Sequence, residues 1–348
     1  MTFGMRIKRN GWGSICWLIC LWAGVLVCAS DAPGTRSLGK PPQQTTTSAL
    51  IPGTRVLLDA HNCYPYNGQW ANRLDLALST GTPLAIEQDL AWYVDVEKHQ
   101  SRIVVTHDTK LTGHEPTLRE YFFERVRPMM EKALREGNRG DWPLITLNLD
   151  FKSEQPELLN AVWELLGEFE PWLTTAERVS NASSVMPLHV GPMLVLTGDS
   201  DAQEHVFYES VPVGQRLRVF GAIQVHAENP LAEPEVLVRT SGDNYRRWWN
   251  NPWSVVEAGG QKNAGDWTDA DAKRLVSLVS YAHKSGLWIR FYTLDGGSEE
   301  TFRSNGWFSG YNFGSVAATR IRWQAARDAG ADYIATDQYH QLAKLLHP

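Results

Sequence analysis

The feature that most limits what this chain can fold into is an alternation. Short runs rich in Val, Ile and Leu recur along it, with amphipathic stretches between them. The runs lie at 55–60, 83–89, 102–106, 144–151, 193–197, 217–225, 287–294 and 333–336. Most lack the strict apolar–polar alternation of a sheet with one wet face. They read as strands buried on both sides, as in a parallel sheet. The stretches at 117–136, 155–172, 269–284 and 315–329 carry apolar residues at helical spacing. Thr117 and Glu120 have the spacing of a capping box. Gly137, Gly286 and Gly330 stand where helices are expected to end. Eight strands alternating with helices predict an α/β fold, a (β/α)8 TIM barrel. The chain has 348 residues, and that fold commonly needs about 250. The competing architecture is an open doubly wound sheet. No Gly-rich turn follows the first strand, which counts against its nucleotide-binding form.

The ends of the chain read differently. Residues 1–30 have the layout of a secretory signal peptide. A basic start at Arg6, Lys8 and Arg9 precedes an apolar run and small residues near Ala29. An uncleaved membrane anchor is the alternative. Residues 31–52, rich in Pro, Gly, Thr and Gln, read as a flexible linker. The barrel is then 53–348, and the protein is expected to be secreted or periplasmic. Of four cysteines, only Cys63 lies beyond residue 30, so no disulfide forms within the mature chain. A net charge of −6 gives no reason to expect nucleic acid. The stretch 226–267 is long for a connection and holds Trp248, Trp249, Trp253 and Trp267. It is expected to be an insertion or lid after the sixth strand.

Barrels of this kind place reacting groups at the C-terminal ends of their strands. Here the first run ends in His61-Asn62, the second in Glu87-x-Asp89, the third in His107 and the fourth in Asp150-x-Lys152. Residues two apart on a strand share a face, so Glu87 projects with Asp89 and Asp150 with Lys152. Carboxylates gathered in one pocket repel unless a cation lies between them. Oxygen donors suit one hard divalent ion, Ca2+ or Mg2+. Glu87, Asp89, Asp150 and the side-chain carbonyl of Asn62 are its candidate ligands. His61 and His107 remain for proton transfer, and Lys152 for a phosphate oxygen. Arg290 and Tyr292 are further substrate candidates, with Asp337 the expected partner of Arg290. Trp248 and Trp249 read as an aromatic rim beside Arg246 and Arg247; the alternative is that they simply pack.

These residues resemble the glycerophosphodiester phosphodiesterase and phosphatidylinositol-specific phospholipase C superfamily, the PLC-like phosphodiesterases. The likeness lies in His61, Glu87-x-Asp89, His107-Asp108 and the run Leu147-Asn148-Leu149-Asp150-Phe151-Lys152. It continues through Phe291-Tyr292-Thr293-Leu294-Asp295 to the ending Gly330 to Asp337. The resemblance implies a metal-dependent phosphodiesterase of the PLC-like barrel type. His61 would be the general base, His107 the general acid, and the acidic residues would hold the cation. The substrate would be a small-molecule or lipid-head-group phosphodiester, which admits peripheral contact with a membrane. Two departures stand out. His61-Asn62-Cys63-Tyr64 is similar to the opening of the calcium-dependent phospholipase C branch, where the Asn binds metal, rather than to the His-Arg-Gly of the other branch. Asp150 replaces a longer Glu. The competing functions are a catalytically silent binding protein on the same barrel and a glycosidase using Glu87 and Asp150.

Overall fold

The computed structural model describes residues 50–65, 72–137 and 142–347. The segment read as a signal peptide, and 31–49 of the expected linker, lie outside them. No described helix is long and apolar enough to cross a membrane. The strands of the main sheet are β1 (Leu57–Ala60), β2 (Leu84–Asp95), β3 (Gln100–Val105), β4 (Ile145–Phe151), β5 (Met193–Thr197), β6 (Phe220–Ala222), β7 (Arg246–Pro252), β8 (Trp288–Tyr292) and β9 (Tyr333–Thr336). Eight of them, all but β3, pair side by side in parallel. The circle β1-β9-β8-β7-β6-β5-β4-β2 closes where β1 meets β2, through Asp59 opposite Ala85 and Ala60 opposite Ile86. The predicted (β/α)8 barrel is therefore present.

Two expectations about its strands change. The run at 102–106 is not a barrel strand. It is β3, which folds back antiparallel on the outer half of β2, pairing Leu90 with Val105 and Asp95 with Gln100. Strand β2 thus serves the barrel with its first half and a projecting hairpin with its second. The missing eighth strand is β7, inside the stretch expected to be an insertion. It pairs with β8, Trp248 opposite Trp288 and Arg290 opposite Asn250. The region 226–267 is mostly an ordinary connection plus a wall of the barrel.

The helices follow the local chemistry. Helix α1 is Arg73–Leu78, α2 Glu124–Glu136, α3 Pro156–Glu168, α4 Asp269–Lys284, α5 Val316–Ala329 and α6 Tyr339–Leu346. Thr268 and Asp271 form a full capping box at the start of α4. Thr117 and Glu120 bond as their spacing predicts, 2.8 Å between side chains, ahead of α2. Gly137 and Gly330 end α2 and α5 in the left-handed conformation. Helix α3 starts on Pro156 and buries Leu158, Leu159, Val162, Leu165 and Leu166. At about 2 kcal/mol each, that face contributes on the order of 10 kcal/mol before the entropy of ordering is set against it.

The lower mouth of the barrel, at the N-terminal ends of the strands, is closed. The Trp288 indole donates to the Leu50 carbonyl at 3.2 Å and meets Trp142 edge-on at 6.3 Å. Leu50 is buried, so the last residues of the expected linker belong to the folded body. Gly53 packs so tightly here that a Cβ would lie 2.7 Å from the His283 ring. Its amide donates to Asp332, which also accepts from the Ile289 amide and from His283.

Candidate functional site

The upper mouth is open. Its cleft, about 390 Å3 in volume, is lined among others by His61, Glu87, His107, Asn148, Asp150, Lys152, Arg290 and Tyr292. These come from β1, β2, β4, β8 and the turn after β3, so five separate chain segments deliver them to one place. A wider recess of about 820 Å3 lies behind Asp337, lined by Arg73, Trp307 and His340. None of His107, Lys152 and Arg290 reaches it, so these side chains belong to the smaller cleft.

His61 is buried and held from two sides. Its Nδ1 lies 3.3 Å from Asp337 Oδ1, and its Nε2 lies 3.7 Å from Glu87 Oε1. Burial alone would lower its pKa. The Glu87 and Asp337 carboxylates overcome that and raise it to about 9. Asp337 is fixed in turn by Arg73 Nη2 at 2.9 Å, and Arg73 also donates to the His61 carbonyl. The Tyr292 ring stacks on His61 at 6.4 Å, and Tyr311 meets it edge-on at 5.8 Å. His107 stands at the exposed rim. Partial burial and the Lys152 ammonium lower its pKa.

Beneath the imidazoles lies a charged floor. Asp89 is fully buried, Glu87 nearly so, and Asp150 half exposed. The three bring carboxylate oxygens within 4.8 Å of one another. Register explains it, since Asp89 lies directly opposite Asp150 on the neighbouring strand. Glu87 is held down at about 2: burial would raise it, but His61, Arg290 and Lys152 outweigh that. Asp89 shifts the other way, pushed up by burial and by Glu87 and Asp150. Its Oδ2 lies 2.9 Å from Lys152 Nζ as an ion pair, and neither of its oxygens has a hydrogen-bond partner. Three oxygen donors with an orphaned buried carboxylate oxygen fit a hard divalent cation. A second group, His61, Asp295 and Asp337, is equally compact, but the Arg73 guanidinium already fills the cation's role there.

Several expectations change at this level. Arg290 does not pair with Asp337. Its guanidinium donates to Asp59 and to Glu87, with Asn250 Oδ1 at 3.1 Å. It is buried beneath the cleft as a brace for Glu87. Asn62 borders the carboxylate group, its backbone N–H 3.5 Å from Glu87 Oε1. Its carbonyl accepts from the Tyr64 hydroxyl at 2.5 Å, and its amide donates to Asp337 at 3.1 Å. A left-handed backbone, φ 51°, sets that orientation. Trp248 and Trp249 form no rim. Both are buried on β7, Trp248 donating to the Thr197 carbonyl and Trp249 packing on Tyr281 of α4. They pack because β7 is a barrel strand, with helices outside and the core within. Sequence reasoning missed Asp337 as the partner of His61, and with it Arg73, Asn250 and Tyr311. Asp337 follows the last strand directly, so the strand-end rule would have found it.

No family model matches the chain, and no curated protein matches it. Among solved structures it is similar to a calcium-dependent phosphoinositol-specific phospholipase C from the Gram-negative bacterium Pseudomonas. That likeness has 16% identity and a TM-score of 0.44, over 84% of this chain and 92% of the other. It is also similar to a Plasmodium falciparum HPPK-DHPS triple mutant, with 8% identity and a TM-score of 0.41, over 85% of this chain and 47% of the other. Likenesses this distant carry no argument about function, which rests on the cleft.

Proposed function

We propose that the chain is a secreted phosphodiesterase that uses His61 and His107 for proton transfer and a divalent cation on Glu87, Asp89 and Asp150. The observation that carries this reading is the convergence of both imidazoles on one cleft over three clustered carboxylates and Lys152. His61, anchored at Nδ1 by Asp337, takes the proton of the attacking hydroxyl at Nε2. As the new O–P bond forms and the ester O–P bond breaks, His107 gives a proton to the departing alkoxide. Lys152 meets a phosphoryl oxygen. A bound divalent ion supplies positive charge against the phosphoryl oxygens and offsets the hold of Glu87 on His61.

The lining also bears on the substrate. Among the described residues, Lys152 and Arg290 are the cleft's Lys and Arg side chains, and each is already paired with carboxylates. Glu154 and Asp199 add negative charge. A head group carrying further phosphates finds no spare cation there. The substrate is therefore an uncharged, hydroxyl-bearing head group on a single phosphodiester, of the glycerol or inositol kind. The glycosidase reading needs a carboxylic acid at neutral pH facing the cleft. His61, Arg290 and Lys152 hold Glu87 low, against that role, and a carboxylate-pair scheme leaves both imidazoles and Lys152 without a part.

The test is release of a chromogenic alcohol from a phosphodiester by the purified chain, with and without chelator, and by His61→Ala. Loss of turnover in both is expected. Activity that survives both would sink the proposal. For the head group, an inositol phosphodiester should react faster than the same diester bearing an added phosphate monoester; the reverse order would overturn that part.

A further inference from the structure

Asp150 on strand β4 and Lys152, just past its end, lie on one side, and the register sets Asp150 beside Asp89. The Lys152 ammonium sits between these two carboxylates, 2.9 Å from Asp89 Oδ2 and 2.8 Å from Asp150 Oδ2. Two of the three carboxylates able to hold a divalent ion are thus spanned by a cation the chain itself supplies. A hard divalent ion approaches carboxylate oxygens to about 2.0–2.6 Å. It cannot take these oxygens while an ammonium remains on them, because two positive centres would then lie within a few ångströms of each other. Glu87 Oε2 already accepts from Arg290 and Asn148, so this third carboxylate offers the ion a single oxygen, Oε1. Lys152 is free to yield. Its side chain is 22% exposed and open to the cleft on a flexible four-carbon stem. Asp89, in contrast, is fully buried with neither oxygen hydrogen-bonded, and it cannot follow the ammonium outward.

We infer that Lys152 is a built-in counter-cation that competes with the divalent ion for Asp89 and Asp150, and that binding of the ion frees its ammonium to meet the phosphodiester. This rests on the cation site proposed above. The role of Lys152 as a phosphate contact is then conditional: the side chain becomes available when the ion arrives. Ion and phosphodiester therefore bind with positive coupling, and each raises the affinity of the other by the same factor. In the ion's absence, Lys152 keeps Asp89 from being a bare charge in the core.

The experiment compares the full chain with Lys152→Met. Calcium and magnesium binding are measured by calorimetry, and melting temperature is followed in chelator and in calcium. Lys152→Met is expected to bind the ion at least tenfold more tightly than wild type. It should also melt lower in chelator and recover in calcium by a larger margin. A second measurement needs no variant: labelling of Lys152 in the wild-type chain by acetic anhydride, read by peptide mass spectrometry, should increase when calcium is added. With dimethyl phosphate as probe, wild type should bind more tightly in calcium than in chelator, and the gain should shrink in Lys152→Met. Equal or weaker ion affinity in Lys152→Met, or labelling that calcium leaves unchanged although it binds, overturns the inference and spares the cation site. Absence of ion binding in both proteins overturns the cation site and this inference with it.

Discussion

The two mouths of the barrel treat a buried carboxylate in opposite ways. At the closed lower mouth Asp332 accepts from two backbone amides and from His283, so both its oxygens are used. At the open upper mouth Asp59, Asp89 and Asp295 are as deeply buried, yet each keeps an oxygen without a partner. Burial raises the pKa of all four. What differs is satisfaction. A satisfied buried charge is a fastener; an unsatisfied one costs stability and persists where something else uses it. The exposed pairs on α2, such as Arg127 with Glu124, belong to neither class and contribute little.

The strongest way to break this comparison is to exchange effects between the mouths. His61→Ala should lower kcat/KM on a phosphodiester by about 10³-fold, and its melting temperature should approach that of wild type as pH rises through about 9. Trp288→Ala, at the lower mouth, should cost about 3–5 kcal/mol of stability with kcat/KM preserved in the folded fraction. Denaturant titration beside steady-state rates checks both. A Trp288 variant that lost rate rather than stability would dissolve the distinction.

A finer contrast sets carboxylate against carboxylate. Asp332→Asn leaves a donor without its acceptor and should cost about 1–3 kcal/mol. Asp89→Asn removes a buried charge that makes no hydrogen bond. Measured in chelator it should cost nothing or stabilise by about 1 kcal/mol, while calorimetry shows ion affinity at least tenfold weaker. The same sign of stability change in both variants would defeat the idea that satisfaction separates them.

The smallest effect is a slope. In chelator, the raised pKa of His61 makes its contribution to stability complete below about 6.5 and lost as pH rises through about 9. Asp295, pushed up to about 7 by burial and by Asp337, adds a decline between about pH 4 and 7. Melting temperature should therefore fall across both windows. Asp295→Asn should flatten the lower one and His61→Gln the upper. A flat profile in the wild-type chain would show that these groups are less constrained than their surroundings imply.

Much of this was legible in the sequence. Strand ends in parallel barrels meet at one place, so His61, Glu87, His107, Asp150 and Lys152 could be gathered without a structure. The Glu87-x-Asp89 spacing likewise gave their shared face. Strand β7 was not legible, because its barrel-facing Arg246 and Asn250 interrupt the apolar run that marks a buried strand. Strand β3 was misplaced because a hairpin arm and a barrel strand have the same local pattern. Their difference lies in the partner. The short link at 96–99 favours a hairpin, since a parallel crossover needs a dozen or more residues. The orientation of Asn62 rests on a backbone angle that its residue type permits but does not demand.

The two imidazoles ride on different pieces of the wall. His61 ends β1, and His107 follows the hairpin arm whose base, at Thr106, is bonded to the Asp89 carbonyl of β2. The pieces touch through the pairs Asp59–Ala85 and Ala60–Ile86. The gap between the two imidazoles is therefore a property of that seam, fixed outside the cleft. A displacement of about 1 Å between reacting groups can cost about 10²-fold in rate. Substitutions at Ala85 or Ile86, which do not line the cleft, are thus a tuning screw for the proposed proton relay that leaves both of its ends chemically intact.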